Sequence, residues 1–209
     1  MLEFLTGAGL AVSAGLNAYI PLLALGLAGR FLDVVNLPAS WAWLENPWVL
    51  GILGILLAIE LVADKIPVVD HVNDWIQTVV RPTAGGLAFG SGSTATTAAV
   101  TNPEAFFSGN QWFPIALGVV IALAVHVAKS AIRPMINVAS AGILTPVVSA
   151  AEDVGSVAMA ILAILIPVLV IVAIPIAAWL LWRLARRVRK RNGRSRKEPA
   201  ESAKYEVLP

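Results

Sequence analysis

Apolar residues fall in blocks long enough to span a bilayer, and the polar positions that interrupt them sit where lipid tolerates charge least. Residues 5–29 form the first block. Its middle, Ser13 to Pro21, places Gly15, Asn17 and Pro21 where they free backbone carbonyls and present an amide inside a bundle. A loop with Arg30, Asp33, Trp41, Trp43 and Trp48 follows, its tryptophans suited to a membrane interface. Pro47 opens a second span reaching to Lys65.

The stretch LAIELVADKIPVVDHVNDWIQTVVRP, Leu57 to Pro82, begins at membrane quality and then carries Glu60, Asp64, Lys65, Asp70, His71, Asp74 and Arg81. Glu60 and Asp64 are four apart and share one helix face. Asp70, Asp74, Gln77 and Arg81 make a stripe opposite Val72, Trp75, Ile76, Val79 and Val80. That spacing predicts an amphipathic helix lying at the interface with its charges wet, joined at Pro67 to the second span.

Thr83 to Val100 is rich in Gly, Ala, Ser and Thr, which predicts a closely packed third span or a re-entrant hairpin. A loop at 102–114 without Lys or Arg precedes a fourth span at 115–132, which ends with His126, Lys129 and Ser130. Residues 135–151, broken by Gly142 and Pro146, read as a fifth span or another hairpin. The last block, 154–182, is longer than a hydrocarbon core needs, so tilting or kinking at Pro167 and Pro175 is expected. The fold class is all-α: a polytopic helical membrane protein of about six transmembrane or re-entrant segments. Residues 1–183 form the helical domain, and 184–209 a basic tail expected to be disordered.

A short internal correspondence runs through these blocks. Leu57–Ile66 lies on Leu123–Ile132, so Glu60 meets His126 and Asp64 meets Ser130. One inserted residue later Pro67 meets Pro134, Asp70 meets Asn137 and Thr78 meets Thr145. Paired repeats with broken helices are how transporters build a midplane site.

Composition agrees with a membrane class: 58% of residues are hydrophobic and 13% charged, roughly half the usual charged share. The net charge of +2 conceals a split. From Arg183 onward ten basic residues face three acids; the rest has five basic residues against ten acids. The high pI therefore reports a tail and gives no ground for a nucleic-acid partner. That tail predicts a cytoplasmic C-terminus, attraction to anionic lipids, and residence in the cell's inner membrane. With the 102–113 loop outside, six crossings would leave both termini inside. There is no cysteine, which removes disulfides, thiolate ligands and Cys nucleophiles.

The sequence resembles a bacterial membrane family known as domain-of-unknown-function family 4126. The likeness rests on GLNAYIPLLALGLAGR (Gly15–Arg30), ENPWVL (Glu45–Leu50), ELVADKIPVVDHVNDWIQTVVRP (Glu60–Pro82) and TPVVSAAEDV (Thr145–Val154). It implies a multi-pass membrane protein and carries over no site residue.

Two sets of side chains carry candidate chemistry. Asn17, Glu60, Asp64, His126 and Ser130 would line a substrate or ion pathway, the carboxylates binding a cation or relaying a proton. The plainer account makes them structural: Glu60 pairs with His126, Asp64 with Lys65, Lys129 or Arg133, and Asn17 is interhelical glue. Lys65, Arg81, Lys129 and Arg133 could receive an anion or a lipid phosphate; the plainer account has Arg81 and Arg133 snorkelling to headgroups. Ser149, Glu152, Asp153 and Ser156 read as capping the last helix from outside. HExxH, GxSxG, P-loop and Cys/His cluster motifs are missing, so no enzyme, metal or cofactor is expected. Three function classes follow, in order: a small secondary transporter or channel for an ion or small polar solute, with proton coupling an option; a binder or translocase of a phosphate-headed lipid; and a membrane scaffold. Self-association stays open.

Overall fold

The computed structural model describes residues 1–32, 34–101, 112–140, 142–179, 183 and 186. The fold is all-α, with one two-residue antiparallel ribbon: β1 (Val35–Asn36) pairs Val35 with Thr97 and Asn36 with Thr96 of β2 (Thr96–Thr97). The helices are α1 (Leu2–Leu16), α2 (Ile20–Phe31), α3 (Pro47–Ala63), α4 (Pro67–Thr94), α5 (Trp112–Ser140), α6 (Thr145–Leu165) and α7 (Pro167–Trp179). Two of them, α5 and α6, are long and apolar enough to cross a membrane.

α1 is the central element. Every residue from Thr6 to Gly15 is buried, packed among α4, α5 and α6. Its small side chains make that possible: Gly7 lies under Phe89 and Gly9 under Ala163 and Val170. Ser13 Oγ donates to the Ser156 carbonyl at 2.8 Å and Ser156 Oγ to the Ser13 carbonyl at 2.9 Å, two bonds tying α1 to α6.

The block at 5–29 is not one span. In a continuous helix the Pro21 ring would strike the Asn17 carbonyl and leave it without a donor. Instead Asn17 turns extended (φ −145°, ψ 123°), and its side-chain oxygen accepts from the backbone N–H groups of Tyr19 and Ile20. The chain then doubles back. Leu10 on α1 lies against Gly92 near the end of α4, while the exit of α2 reaches β1, which pairs just beyond that same end. α1 and α2 are therefore a helical hairpin whose tip, Asn17–Tyr19, points to the middle of the bundle.

α3 starts where Pro47 predicts. The Asn46 side chain accepts from the Trp48 N–H at 2.9 Å, and Pro47 supplies the first turn. Asn46→Ala should lower stability by about 1 kcal/mol; amide hydrogen exchange at Trp48 and Val49 should quicken, and unchanged protection there would refute the capping role.

Three segment boundaries differ from the sequence expectation. The charged stripe and Thr83–Thr94 are one helix, α4, which continues through Pro82. Residues 135–151 are not an element of their own. α5 continues through Pro134 to Ser140, and α6 begins at Thr145. Gly142 (φ 80°) makes the turn, a left-handed position that glycine accepts without steric cost, and Pro146 opens α6. The last block breaks at Ile166, where the Pro167 ring would meet the Ala163 carbonyl. The two halves of the internal correspondence thus differ in backbone: the chain turns before Pro67 but passes through Pro134 as helix. Side chains at 67–72, the 102–111 loop, Asp33 and the tail beyond Arg186 lie outside the described residues.

Polarity is arranged inside out. Trp48, Ile55, Trp75, Val79 and Val120 are each more than 60% exposed, whereas Arg81, Glu60, Gln77 and Asp64 are 2% exposed or less.

Candidate functional site

α4 turns its polar stripe inward. Trp75, Ile76 and Val79 face out, while Gln77 and Arg81 sit in the bundle. For Gln77 and Arg81 this corrects the expectation of an interfacial helix with wet charges; Asp74 is half-buried, and the side chains of Asp70 and His71 lie outside the described residues. Arg81, at the midpoint of α4, donates to Glu60 Oε1 at 2.7 Å from one terminal nitrogen. Its other terminal nitrogen reaches the Gly15 carbonyl at 3.4 Å, and its Nε donates to Gln77 at 3.3 Å.

α5 contributes the next turn of the cluster. Lys129 Nζ lies 2.9 Å from Glu152 Oε2 and donates to the Leu16 carbonyl at 3.1 Å. The same Glu152 oxygen accepts from Arg133 at 2.9 Å. The carbonyls of Gly15 and Leu16 belong to the last turn of α1, where helical carbonyls lack intrahelical partners. The hairpin tip and the cations therefore satisfy one another.

Asp64 occupies the centre. It lies in the turn between α3 and α4, and its Oδ2 is 3.6 Å from Arg81, 3.6 Å from Lys129 and 3.4 Å from Arg133. Its Oδ1 accepts from the Asn73 side chain at 2.7 Å. At the rim Lys65, 40% exposed along its side chain, lies 3.7 Å from Asp153, which accepts from Asn17 Nδ2 at 3.1 Å. Four acids (Glu60, Asp64, Glu152, Asp153) thus meet four bases (Lys65, Arg81, Lys129, Arg133). Charges this dry are tolerable only because every one has a partner.

Seven of the nine sequence candidates come together here: Asn17, Glu60, Asp64, Lys65, Arg81, Lys129 and Arg133. Two do not join by any direct contact. His126 is buried on α5, but its Nε2 lies 3.1 Å from Thr78 Oγ1, and its Nδ1 has no partner. The Glu60–His126 pair is replaced by Glu60–Arg81, since the guanidinium on α4 reaches the carboxylate first. Ser130 is half-buried with its hydroxyl unpartnered. Arg81 and Arg133 do not snorkel, being 4% exposed or less.

Glu152 and Asp153 were misassigned by sequence reasoning. They are not outer caps of the last helix; they lie within α6 and face the cations. A signal was present. Thr145, Ser149, Glu152 and Ser156 repeat the i, i+4, i+7, i+11 spacing of the α4 stripe, and Thr145, Ser149 and Ser156 are buried.

Among the described residues no group of three or more His, Cys, Asp or Glu side chains could hold a metal ion. Guanidinium and ammonium groups can bind an anion, and carboxylates can exchange a proton. No curated protein and no solved structure matches the chain. One family model does, described as a domain of unknown function (DUF4126) and aligned over residues 4–187. With nearly the whole helical region inside that match, the chain belongs to the DUF4126 family.

Proposed function

We propose that the protein is a small membrane-embedded secondary transporter or channel for an ion or small polar solute, coupled to protons through its buried carboxylates. One observation carries this reading: the tip of a half-length helical hairpin ends inside a largely buried cluster of eight charges. Broken helices that bring free carbonyls to a polar centre in mid-bundle are the way transporters place a substrate site at the membrane midplane.

The inside-out polarity supports a lipid setting. α4, α5 and α6, of 28, 29 and 21 residues, are about 42, 44 and 32 Å long at 1.5 Å per residue, enough for a ~30 Å core. In this reading the α1–α2 hairpin is re-entrant from the side of the 102–111 loop. That loop lacks Lys and Arg and faces out, while the basic tail stays in the cytoplasm. In this reading the N-terminus lies outside, whereas six crossings would have both termini inside.

The test is reconstitution into vesicles with a trapped pH-sensitive dye and an imposed solute gradient. The native protein should move protons with at least one solute of a panel of cations, anions and small polar molecules. Glu60→Gln should reduce flux per inserted molecule tenfold or more; Arg81 keeps Asp64 and the Gly15 carbonyl as partners, so a folded fraction remains to be measured. Absence of flux across the panel, with normal assembly, would leave the scaffold reading in its place.

A further inference from the structure

We infer that the guest of this cluster is a small oxyanion, and that the Asp64 carboxylate is its internal stand-in between Arg81, Lys129 and Arg133. The inference rests on the transporter reading only for the route by which the anion arrives; the binding site itself does not depend on it.

Three observations carry it. First, each cation has a nearer acid than Asp64. Arg81 holds Glu60 at 2.7 Å, and Lys129 and Arg133 hold Glu152 at 2.9 Å. Second, Asp64 Oδ2 is shared among all three at 3.4–3.6 Å, beyond the 2.7–2.9 Å of a well-made charge-assisted hydrogen bond. One terminal nitrogen from each of two guanidinium groups and an ammonium surround this loosely held oxygen, a donor set that suits an oxyanion, with a carboxylate as its loose occupant. Third, the cations stand on the interiors of α4 and α5, whereas Asp64 stands in the turn between two helices. The occupant thus stands outside the helix interiors that hold the cations, and its Oδ1 has a separate anchor in Asn73.

Charge sets the coupling. The groups around Asp64 are Glu60 and Lys65 on its own stretch, Asn73 and Arg81 on α4, Lys129 and Arg133 on α5, and Glu152 and Asp153 on α6. Asn17 and the carbonyls of Gly15 and Leu16 close the hairpin side. The buried cations Arg81, Lys129 and Arg133 balance Glu60, Asp64 and Glu152. An anion entering while Asp64 remains a carboxylate would leave uncompensated negative charge in a dry site. Asp64 must therefore take up a proton or leave the three cations; where it stays and is protonated, one proton offsets one negative charge of the anion. The anion could be free in solution or the headgroup of a lipid; the cations recognise the same chemistry in both.

Sulfate is a suitable probe because its charge does not change between pH 5.5 and 7.5. Calorimetry on the full chain in detergent should show native protein binding sulfate at least tenfold more tightly at pH 5.5 than at 7.5. Asp64→Asn should bind at pH 7.5 at least tenfold more tightly than native and lose the pH dependence. Asp64→Asn combined with Arg133→Gln, which restores the charge balance, should lose the gain. Vesicles of phosphatidylglycerol in phosphatidylcholine, against phosphatidylcholine alone, form the second arm. Tight sulfate binding without preference for phosphatidylglycerol assigns a free anion. The same variant pattern for phosphatidylglycerol without sulfate binding assigns a lipid headgroup.

The proposal is overturned if native protein shows neither response and folded Asp64→Asn binds neither probe, or if the double variant binds as well as Asp64→Asn. Should Asp64→Asn fail to fold, the native pH response alone decides. Sulfate binding without any flux would refute the transporter reading and leave this one standing. Flux that persists with neither probe bound would do the reverse.

Discussion

Replacing Arg81 with methionine should destabilise the protein by about 3–5 kcal/mol, the usual effect of breaking a buried ion pair from one side. Arg81 is wholly buried, and its guanidinium is the 2.7 Å partner of Glu60. Methionine fills much of the volume but leaves the Glu60 carboxylate charged in a site where water cannot reach it. The Gly15 carbonyl at the end of α1 also loses its donor. The loss should appear in thermal unfolding in detergent and in a smaller monodisperse fraction. The informative comparison is the double variant, Arg81→Met with Glu60→Gln. Removing both charges removes the desolvation problem, so it should recover more than half of the lost stability. A single variant as stable as native protein would contradict the buried pairing. A double variant no better than the single would show that Arg81 acts mainly through Asp64 and the Gly15 carbonyl.

Much of the cluster could be read from the chain because proline and charge have strong local consequences. Pro21 acts on the residue four before it, so a break at Asn17 follows from covalent geometry, and an asparagine there supplies its own cap. The pairing of Asp64 with Lys129 and Arg133 was legible because charges in apolar sequence must find partners. The orientation of α4 was not legible. Asp70, Asp74, Gln77 and Arg81 repeat with the same period whether their face meets water or other charges, and only the partners decide. Those partners are Glu60 on α3, Asp64 in the turn after it and the Gly15 carbonyl on α1. Glu152 and Asp153 were lost through a boundary error. With 135–151 treated as one segment they fell at the start of the last helix; with Gly142 as the turn they fall within α6, opposite Lys129. The reversal of α1–α2 was hidden too, because a hairpin of two short apolar helices has the composition of a single span.

The cluster also depends on a contact that contains no charge. Gly85 stands one turn beyond Arg81 on α4 and lies against Gly118 and Ala122 of α5. A Cβ on Gly85 would meet the Ala122 methyl and approach the Gly118 carbonyl oxygen at 2.8 Å, and a Cβ on Gly118 would come 2.5 Å from the Phe89 Cβ. None of these is the movable end of a side chain, so the helices themselves must separate. Gly85→Ala sets two effects against each other. Alanine favours helix by about 1 kcal/mol over glycine, while overpacking a rigid contact costs about 1–3 kcal/mol. Backbone and a methyl on the opposing face put this site at the upper end, so Gly85→Ala should be net destabilising. Gly85→Leu should prevent the two helices from closing at all. Gly51 and Gly54 on α3 supply the control, since a Cβ there meets nothing within 4 Å. Gly51→Ala and Gly54→Ala should each be neutral or stabilising, by up to about 1 kcal/mol. Opposite signs in thermal unfolding at the two sites would establish the α4–α5 crossing; equal gains would show that the helices do not pack this closely. Separating them would carry Arg81 away from the α5 cations that share Asp64 with it. Gly85→Ala should therefore weaken sulfate binding beyond what its loss of stability explains, although it alters none of the charges.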